Sequence, residues 1–155
     1  MSEQQLKSST NNSVRNIVIA IAAVVLSVAL FLGVKTETSG TSLESQVKQS
    51  TALDVALNNH KPTLTEFYAD WCTSCQAMAG DLAQIKESYG DRVNFVMLNV
   101  DNTKWLPEML RYRVDGIPHF LFMNVQGEAI AEAIGEQPKG ILEADLDALI
   151  ANNSI

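Results

Sequence analysis

Residues 71–75 read Trp71-Cys72-Thr73-Ser74-Cys75 and contain the only two cysteines of the 155-residue chain. They follow the apolar run Leu64-Thr65-Glu66-Phe67-Tyr68, which is typical of a β-strand. Apolar residues at helical spacing come directly after them. A Cys-x-x-Cys pair between a strand and a helix indicates a redox-active dithiol.

The start of a helix gives the two sulfurs different chemistry. Unpaired backbone N–H groups and the helix dipole favour negative charge there, so Cys72 becomes a thiolate more readily than a free cysteine. Cys75 lies one turn further along and can attack a mixed disulfide, which releases the reduced substrate. The sequence therefore predicts Cys72 as the nucleophile and Cys75 as the resolving thiol. This redox-active pair requires no metal and no organic cofactor.

Three other interpretations of the cysteine pair are weaker. A closed zinc site needs four ligands, and the only other soft ligands, His60 and His119, lack the usual short spacing. A c-type haem attachment needs histidine at position 76, where this chain has Gln76. A purely structural disulfide would stabilise the fold little, because closing so short a loop constrains the unfolded chain only slightly.

The N-terminal part of the chain predicts a membrane anchor. Residues 1–16 are polar and are predicted to be disordered. Residues 17–34 carry no charge, and at roughly 1.5 Å per residue they reach about 27 Å, near the lower limit for a membrane span. The alternative is a cleaved secretory signal. No Ala-x-Ala site follows Val34, although Ser27-Val28-Ala29 keeps this alternative open.

The distribution of charge predicts the orientation of the anchor and excludes nucleic acid as a partner. Lys7 and Arg15 precede the span, and Lys35 is the only close positive charge after it. This bias places the N-terminus in the cytoplasm and the following domain in a periplasm or thylakoid lumen, where disulfides persist. Residues 51–155 carry seven basic and fifteen acidic groups, a net charge of −8. We expect no binding to nucleic acid, because this domain repels phosphate backbones.

The rest of the chain predicts a flexible tether and one α/β domain. Residues 35–50 are rich in Ser, Thr and Gly and form the tether, with a short edge strand near Ser45–Lys48 as an option. Residues 51–155 form the domain, whose elements follow the order helix, strand, helix, strand, helix, strand, strand, helix. A β-α-β crossover followed by a hairpin gives a central mixed sheet of four to five strands flanked by helices.

Three motifs resemble the thioredoxin superfamily: Tyr68-Ala69-Asp70-Trp71-Cys72-Thr73-Ser74-Cys75, Gly116-Ile117-Pro118, and Gly127 in the hairpin turn. With the N-terminal span, the Trp-Cys-Thr-Ser-Cys variant is similar to the membrane-anchored thioredoxin-like branch of cyanobacteria and chloroplasts. The resemblance covers residues 51–155 and implies a thioredoxin fold and thiol:disulfide interchange of the reductase type. It also implies luminal protein substrates, a transmembrane electron donor of the CcdA type, and a role in apocytochrome maturation or photosynthetic assembly.

The resemblance also assigns three supporting residues. Pro118 matches the family's cis-proline beside the dithiol, although an Ile-Pro bond taken alone favours trans. Glu66 matches a buried carboxylate that can exchange a proton with Cys75 if burial raises its pKa. The alternative for Glu66 is a strand residue that points to solvent. Trp71 is expected to pack beside the dithiol and shield it, and its alternative is an apolar side chain on the surface.

Five positions depart from the ordinary thioredoxin pattern. Met97 replaces the lysine partner of the buried acid, Thr73-Ser74 replaces Gly-Pro, and Gly80 replaces a proline. His119 follows the cis-proline, where the family often has Thr, and we expect a satisfied surface group rather than a charge that tunes Cys72. Because the intervening pair helps to set the redox potential, a disulfide-forming oxidant stays open beside the reductase. A non-catalytic thioredoxin-fold binding module is the other alternative.

Overall fold

The computed structural model describes residues 14–28 and 40–153 of the chain. Contacts divide the chain into two units, Met1–Ser39 and Gly40–Ile155. In the first unit, residues 14–28 form helix α1 with exposed side chains, so residues 14–16 are helical and not disordered. No helix among the described residues is long and apolar enough to cross a membrane. Residues 1–13, the span residues 29–34 and the tether residues 35–39 lie outside the described residues.

The second unit is built on a mixed four-stranded sheet. Its helices are α2 (Leu43–Lys48), α3 (Leu53–Asn58), α4 (Thr73–Tyr89), α5 (Leu106–Arg111, after the 3₁₀ turn Thr103–Trp105) and α6 (Lys139–Asn152), and its strands are β1 (Thr63–Tyr68), β2 (Asn94–Asn99), β3 (His119–Met123) and β4 (Ala129–Ile134). The strand order is β2-β1-β3-β4. Strand β1 runs parallel to β2 and antiparallel to β3, which pairs antiparallel with β4. The predicted crossover and hairpin are therefore confirmed.

Helices cover both faces of the sheet, and the side chains of β1 alternate between the two faces. Leu64 belongs to a core shared with α4 and α6, whereas Phe67 belongs to a core that contains Ala56 of α3 and contacts Met109 of α5. All six residues of β1 are buried, as expected for a central strand covered on both sides. Glu66 and Tyr68, which lie two and four residues after Leu64, therefore also face α4.

Helix α2 corrects the prediction made for residues 35–50. Residues 43–48 form a helix and not a flexible tether or an edge strand. Its N-cap is Ser42, whose hydroxyl oxygen accepts the backbone N–H of Ser45 at 3.2 Å. Leu43 is buried in an apolar cluster and Val47 packs against the same cluster, so apolar packing holds the helix against the domain. The compact unit consequently begins at Gly40 rather than at Thr51.

The β3–β4 hairpin depends on a glycine. Gly127 has a φ of 77°, a left-handed conformation that costs glycine little. A Cβ at this position would lie 2.8 Å from the Cδ2 atom of Leu57. Its N–H donates to the carbonyl of Asn124 at 2.9 Å, which closes the turn where the sequence predicts it.

Candidate active site

The two cysteines form a disulfide bond at the start of α4, with their Cα atoms 5.3 Å apart. Cys72 is the N-cap residue, has an extended backbone, and is followed by the first helical residue, Thr73. The Sγ atom of Cys72 accepts the backbone N–H of Cys75 at 3.1 Å. The predicted place at a helix N-terminus is thus confirmed. After reduction, the same N–H group is positioned to stabilise a negative charge on this sulfur.

The two sulfur-bearing residues differ in exposure. Cys72 keeps 5% of its surface accessible, whereas Cys75 has none. The cluster around the disulfide consists of buried residues from three elements and their loops: Leu43, Tyr68, Ala69 and Ala79. Because Cys75 is fully enclosed, a reagent from solvent meets Cys72 first.

The loop before β3 lies beside this cluster. The Ile117–Pro118 peptide bond is cis, as the resemblance predicts. Ile117 packs against the cluster that contains the disulfide. The carbonyl of Pro118 accepts the N–H of Gly135 at 2.8 Å, which ties the loop to the end of β4. The part that Pro118 plays in substrate contact stays a prediction.

Trp71 lies on the surface next to the disulfide. Its side chain is 66% exposed, and its indole N–H donates to Oδ2 of Asp101 at 2.9 Å. Residues other than Trp71 form the cluster that encloses the sulfurs. The structure therefore matches the surface alternative for this side chain, and a supporting role at the dithiol stays a prediction.

Glu66 is buried in β1 on the side that faces α4. Only 4% of its surface is accessible, and its Oε1 atom has no hydrogen-bond partner. The solvent-facing alternative is therefore wrong. Burial raises the pKa of this carboxyl group to about 8, because the charged form loses its hydration in the interior. The proton relay to Cys75 stays a prediction, but the group has the burial that this role requires.

His119 is buried, so the expectation of a surface histidine is wrong. Only 1% of its surface is accessible, and its ring packs edge-on against Phe67 with the centroids 5.9 Å apart. Neither ring nitrogen has a hydrogen-bond partner, and Nε2 lies 3.4 Å from Oε2 of Glu132 on β4. In the β1–β3 ladder His119 pairs with Phe67 and Phe120 pairs with Glu66. The histidine and the buried carboxyl group therefore face opposite sides of the sheet.

Sequence reasoning missed two polar residues near Glu66. Gln46 of α2 and Lys86 of α4 line a cavity of about 20 Å³ together with Glu66. The remaining lining residues are apolar: Leu64, Leu82, Phe95, Val96, Met97 and Phe120. A signal for α2 exists in the sequence, since Leu43, Gln46 and Val47 have helical spacing and follow Ser42, a good N-cap residue.

The sequence matches the thioredoxin family over residues 44–148. The chain belongs to the thioredoxin family. It is 58% identical over 146 residues to a thiol:disulfide interchange protein TxlA homolog of Synechocystis sp., covering 94% of this chain and 81% of that protein. It is 51% identical to the thiol:disulfide interchange protein TxlA of Synechococcus elongatus, covering 92% of this chain and 75% of that protein.

A chloroplast protein is also similar. The thioredoxin-like protein HCF164 of Arabidopsis thaliana is 44% identical over 132 residues, which cover 84% of this chain and 51% of that protein. This thioredoxin-family protein is accordingly a thiol–disulfide oxidoreductase, and its Cys72 and Cys75 form a Cys-x-x-Cys disulfide.

Proposed function

We propose that this thioredoxin-family protein is a membrane-anchored reductase that passes electrons to the disulfides of proteins in a thylakoid lumen or periplasm. One observation carries the chemical part of the proposal. The Sγ atom of Cys72, the more exposed cysteine, accepts the Cys75 N–H at the start of α4. The name of the TxlA relative supports thiol:disulfide interchange, and the name of the HCF164 relative supports a setting related to the chloroplast.

The first step joins substrate and protein. The Cys72 thiolate attacks one sulfur of the substrate disulfide, a bond forms between these two sulfurs, and the substrate disulfide breaks. The second substrate sulfur leaves as a thiolate and takes a proton from solvent. The cis-Pro118 loop packs beside the disulfide through Ile117, and it offers backbone groups to an extended substrate segment.

The second step releases the substrate. Cys75 loses its proton to the Glu66 carboxylate, and its sulfur then attacks Cys72 in the mixed disulfide. The Cys72–Cys75 bond forms, the bond to the substrate breaks, and the substrate leaves with two more electrons than it brought. A pKa of about 8 makes both forms of Glu66 accessible near neutral pH, as a group that accepts and returns a proton requires.

The anchor and the electron donor complete the proposal. The uncharged residues 17–34 hold the protein in the membrane, and Lys7 and Arg15 keep its N-terminus in the cytoplasm. A transmembrane donor of the CcdA type returns electrons to the disulfide, and the reduced protein serves apocytochrome maturation or photosynthetic assembly. Alkaline extraction and protease protection of the full chain test this arrangement. A chain released by alkali, or a domain digested from the cytoplasmic side, contradicts it.

The direction of electron flow is tested by the reduction potential of the pair. A potential near −270 mV, as in thioredoxin, supports the reductase, and one near −120 mV, as in a strong oxidant, supports disulfide formation. The matched variant replaces Thr73-Ser74 by the Gly-Pro of ordinary thioredoxins. The difference in reduction potential between the wild type and this variant measures the contribution of Thr73-Ser74, since the rest of the site is unchanged.

A further inference from the structure

A small cavity is lined by Glu66 of β1 together with residues of α2 and α4. Its volume of about 20 Å³ accommodates one water molecule, for which roughly 10–15 Å³ suffices. Three polar residues line it, each from a different element: Gln46 of α2, Glu66 of β1 and Lys86 of α4. Oε1 of Glu66 lacks a hydrogen-bond partner. This buried acceptor therefore belongs to a cavity that the amide-bearing Gln46 and the basic Lys86 also line.

Lys86 is the basic side chain in the cavity wall. Its Nζ atom donates to the carbonyl oxygen of Gln49 at the end of α2. Partial burial lowers the pKa of Lys86, so the site disfavours an ammonium that lacks an opposite charge. In the described part of the chain no ion pair joins Lys86 to Glu66.

The sheet offers Glu66 no counter-charge. Its partner across the parallel ladder is Met97 on β2, and its partner across the antiparallel ladder is Phe120 on β3. An ionised carboxylate in the interior is costly unless a cation or hydrogen-bond donors face it. The flexible four-carbon stem of lysine lets an ammonium group move between two acceptors, and Lys86 already lines the space beside the carboxyl group.

We propose that Lys86 is a positioning residue that supplies the counter-charge of Glu66 from α4, since the sheet places only Met97 and Phe120 beside this carboxyl group. While Glu66 is protonated, the ammonium group stays on the Gln49 carbonyl. When Glu66 ionises, the ammonium group moves towards it through the cavity and pairs with it directly or through one water. An effect of Lys86 on the rate at which Cys75 resolves a mixed disulfide rests on the proposed proton relay by Glu66. The charge interaction between Lys86 and Glu66 does not depend on that relay.

Among residues 14–28 and 40–153, no other group facing Glu66 supplies a positive charge. The elements packed around it present Met97, Phe120 and Gln46, which carry no charge. Tyr68 on the same strand has a pKa raised by burial first, with Asp70 and Glu66 adding to it, so its phenol stays neutral near neutral pH. The nearby cysteines carry no charge while they are disulfide-bonded.

The ionisation midpoint of the Glu66 carboxyl group tests the inference in the oxidised, full-length protein. Carbon NMR of labelled glutamate follows it, with Glu66→Gln to assign the signal. We expect Lys86→Met to raise the midpoint by about one pH unit, because a nearby positive charge is lost. Lys86→Arg keeps the charge and the midpoint. Lys48→Met is the matched control, since it removes a lysine from the exposed surface of α2.

A second-site variant tests the geometry. In Lys86→Met, the additional substitution Met97→Lys places a cation directly opposite Glu66, and we expect the midpoint to return towards the wild-type value. A midpoint in Lys86→Met that moves no more than in Lys48→Met overturns the inference. The rate at which Cys75 resolves a mixed disulfide separates the two proposals. If the midpoint shifts and this rate does not, Lys86 is the counter-charge and Glu66 is not the relay.

Discussion

Glu66 on β1 lies directly opposite Met97 on β2, so the buried carboxyl group has a thioether across the ladder and no cation. Its Oε1 atom makes no hydrogen bond, and burial raises its pKa from the ordinary value of 4.5 to about 8. Burial of this unpaired carboxyl group has a thermodynamic consequence, because between its two pKa values the folded state holds a proton that the unfolded state releases.

Stability should therefore depend on pH through Glu66. Between pH 4.5 and about 8, the folded state binds more protons than the unfolded state, so its free energy of unfolding falls as pH rises across this window. Glu66→Gln removes this dependence, which amounts to on the order of 4 kcal/mol over the whole window. Urea unfolding of both oxidised proteins at the two ends of the window measures it. Equal pH slopes in the two proteins would show that Glu66 titrates normally.

The same substitution should slow catalysis at one step. Glu66→Gln cannot accept the proton of Cys75, so we expect resolution of a mixed disulfide to slow by roughly 10²-fold near neutral pH. The first attack by Cys72 should be little changed. Stopped-flow measurement of both steps with a model protein disulfide distinguishes them, and an unchanged resolution rate removes the relay role.

Single cysteine variants should separate the two sulfurs. Cys75→Ser should accumulate a stable mixed disulfide through Cys72, because no second thiol is present to displace the substrate. Cys72→Ser should form no adduct and lose activity, since Cys75 is fully enclosed. Mass spectrometry of the trapped species checks both outcomes. Full activity of Cys72→Ser would instead support a binding module without catalysis.

Helix α2 should contribute to the stability of the disulfide region. Leu43 is 7% exposed and packs in the cluster that encloses Cys72 and Cys75. We expect Leu43→Ala to lower the free energy of unfolding by about 2 kcal/mol and to speed alkylation of reduced Cys75. Lys48→Ala on the exposed side of the same helix should change stability by no more than about 0.5 kcal/mol. Equal effects of the two substitutions would mean that α2 does not pack as the structure shows.

The fold could be predicted from sequence where local signals and tertiary packing agree. The apolar run before Cys72, the helical spacing after Cys75 and the turn at Gly127 each indicate their element locally. Helix α2 was harder to predict, because Ser and Gln dominate residues 41–50 and only Leu43 and Val47 mark an apolar face. Its stability comes from packing against the disulfide cluster, which a local pattern does not show.

The burial of polar residues is the second feature that the sequence predicts poorly. His119 and Glu66 both lie in strands that are buried on both faces, so their side chains enter a core whichever way they point. The resemblance to the thioredoxin superfamily predicts burial for Glu66. For His119 the residue type gives no such prediction, since histidine is buried less often than apolar residues. The cavity shared by Gln46 and Lys86 depends on the docking of α2 on α4, so no single segment of sequence predicts it.

The reactivity of Cys72 in the reduced protein is the most informative quantity to measure. Iodoacetamide labelling at neutral pH, with each cysteine followed by mass spectrometry, compares its rate with that of a free cysteine. We expect Cys72 to react several times faster than the free thiol, because the Cys75 N–H and the helix terminus stabilise its thiolate, and Cys75 to stay unmodified. A Cys72 that reacts no faster than free cysteine, or a Cys75 that reacts first, would contradict the proposed mechanism.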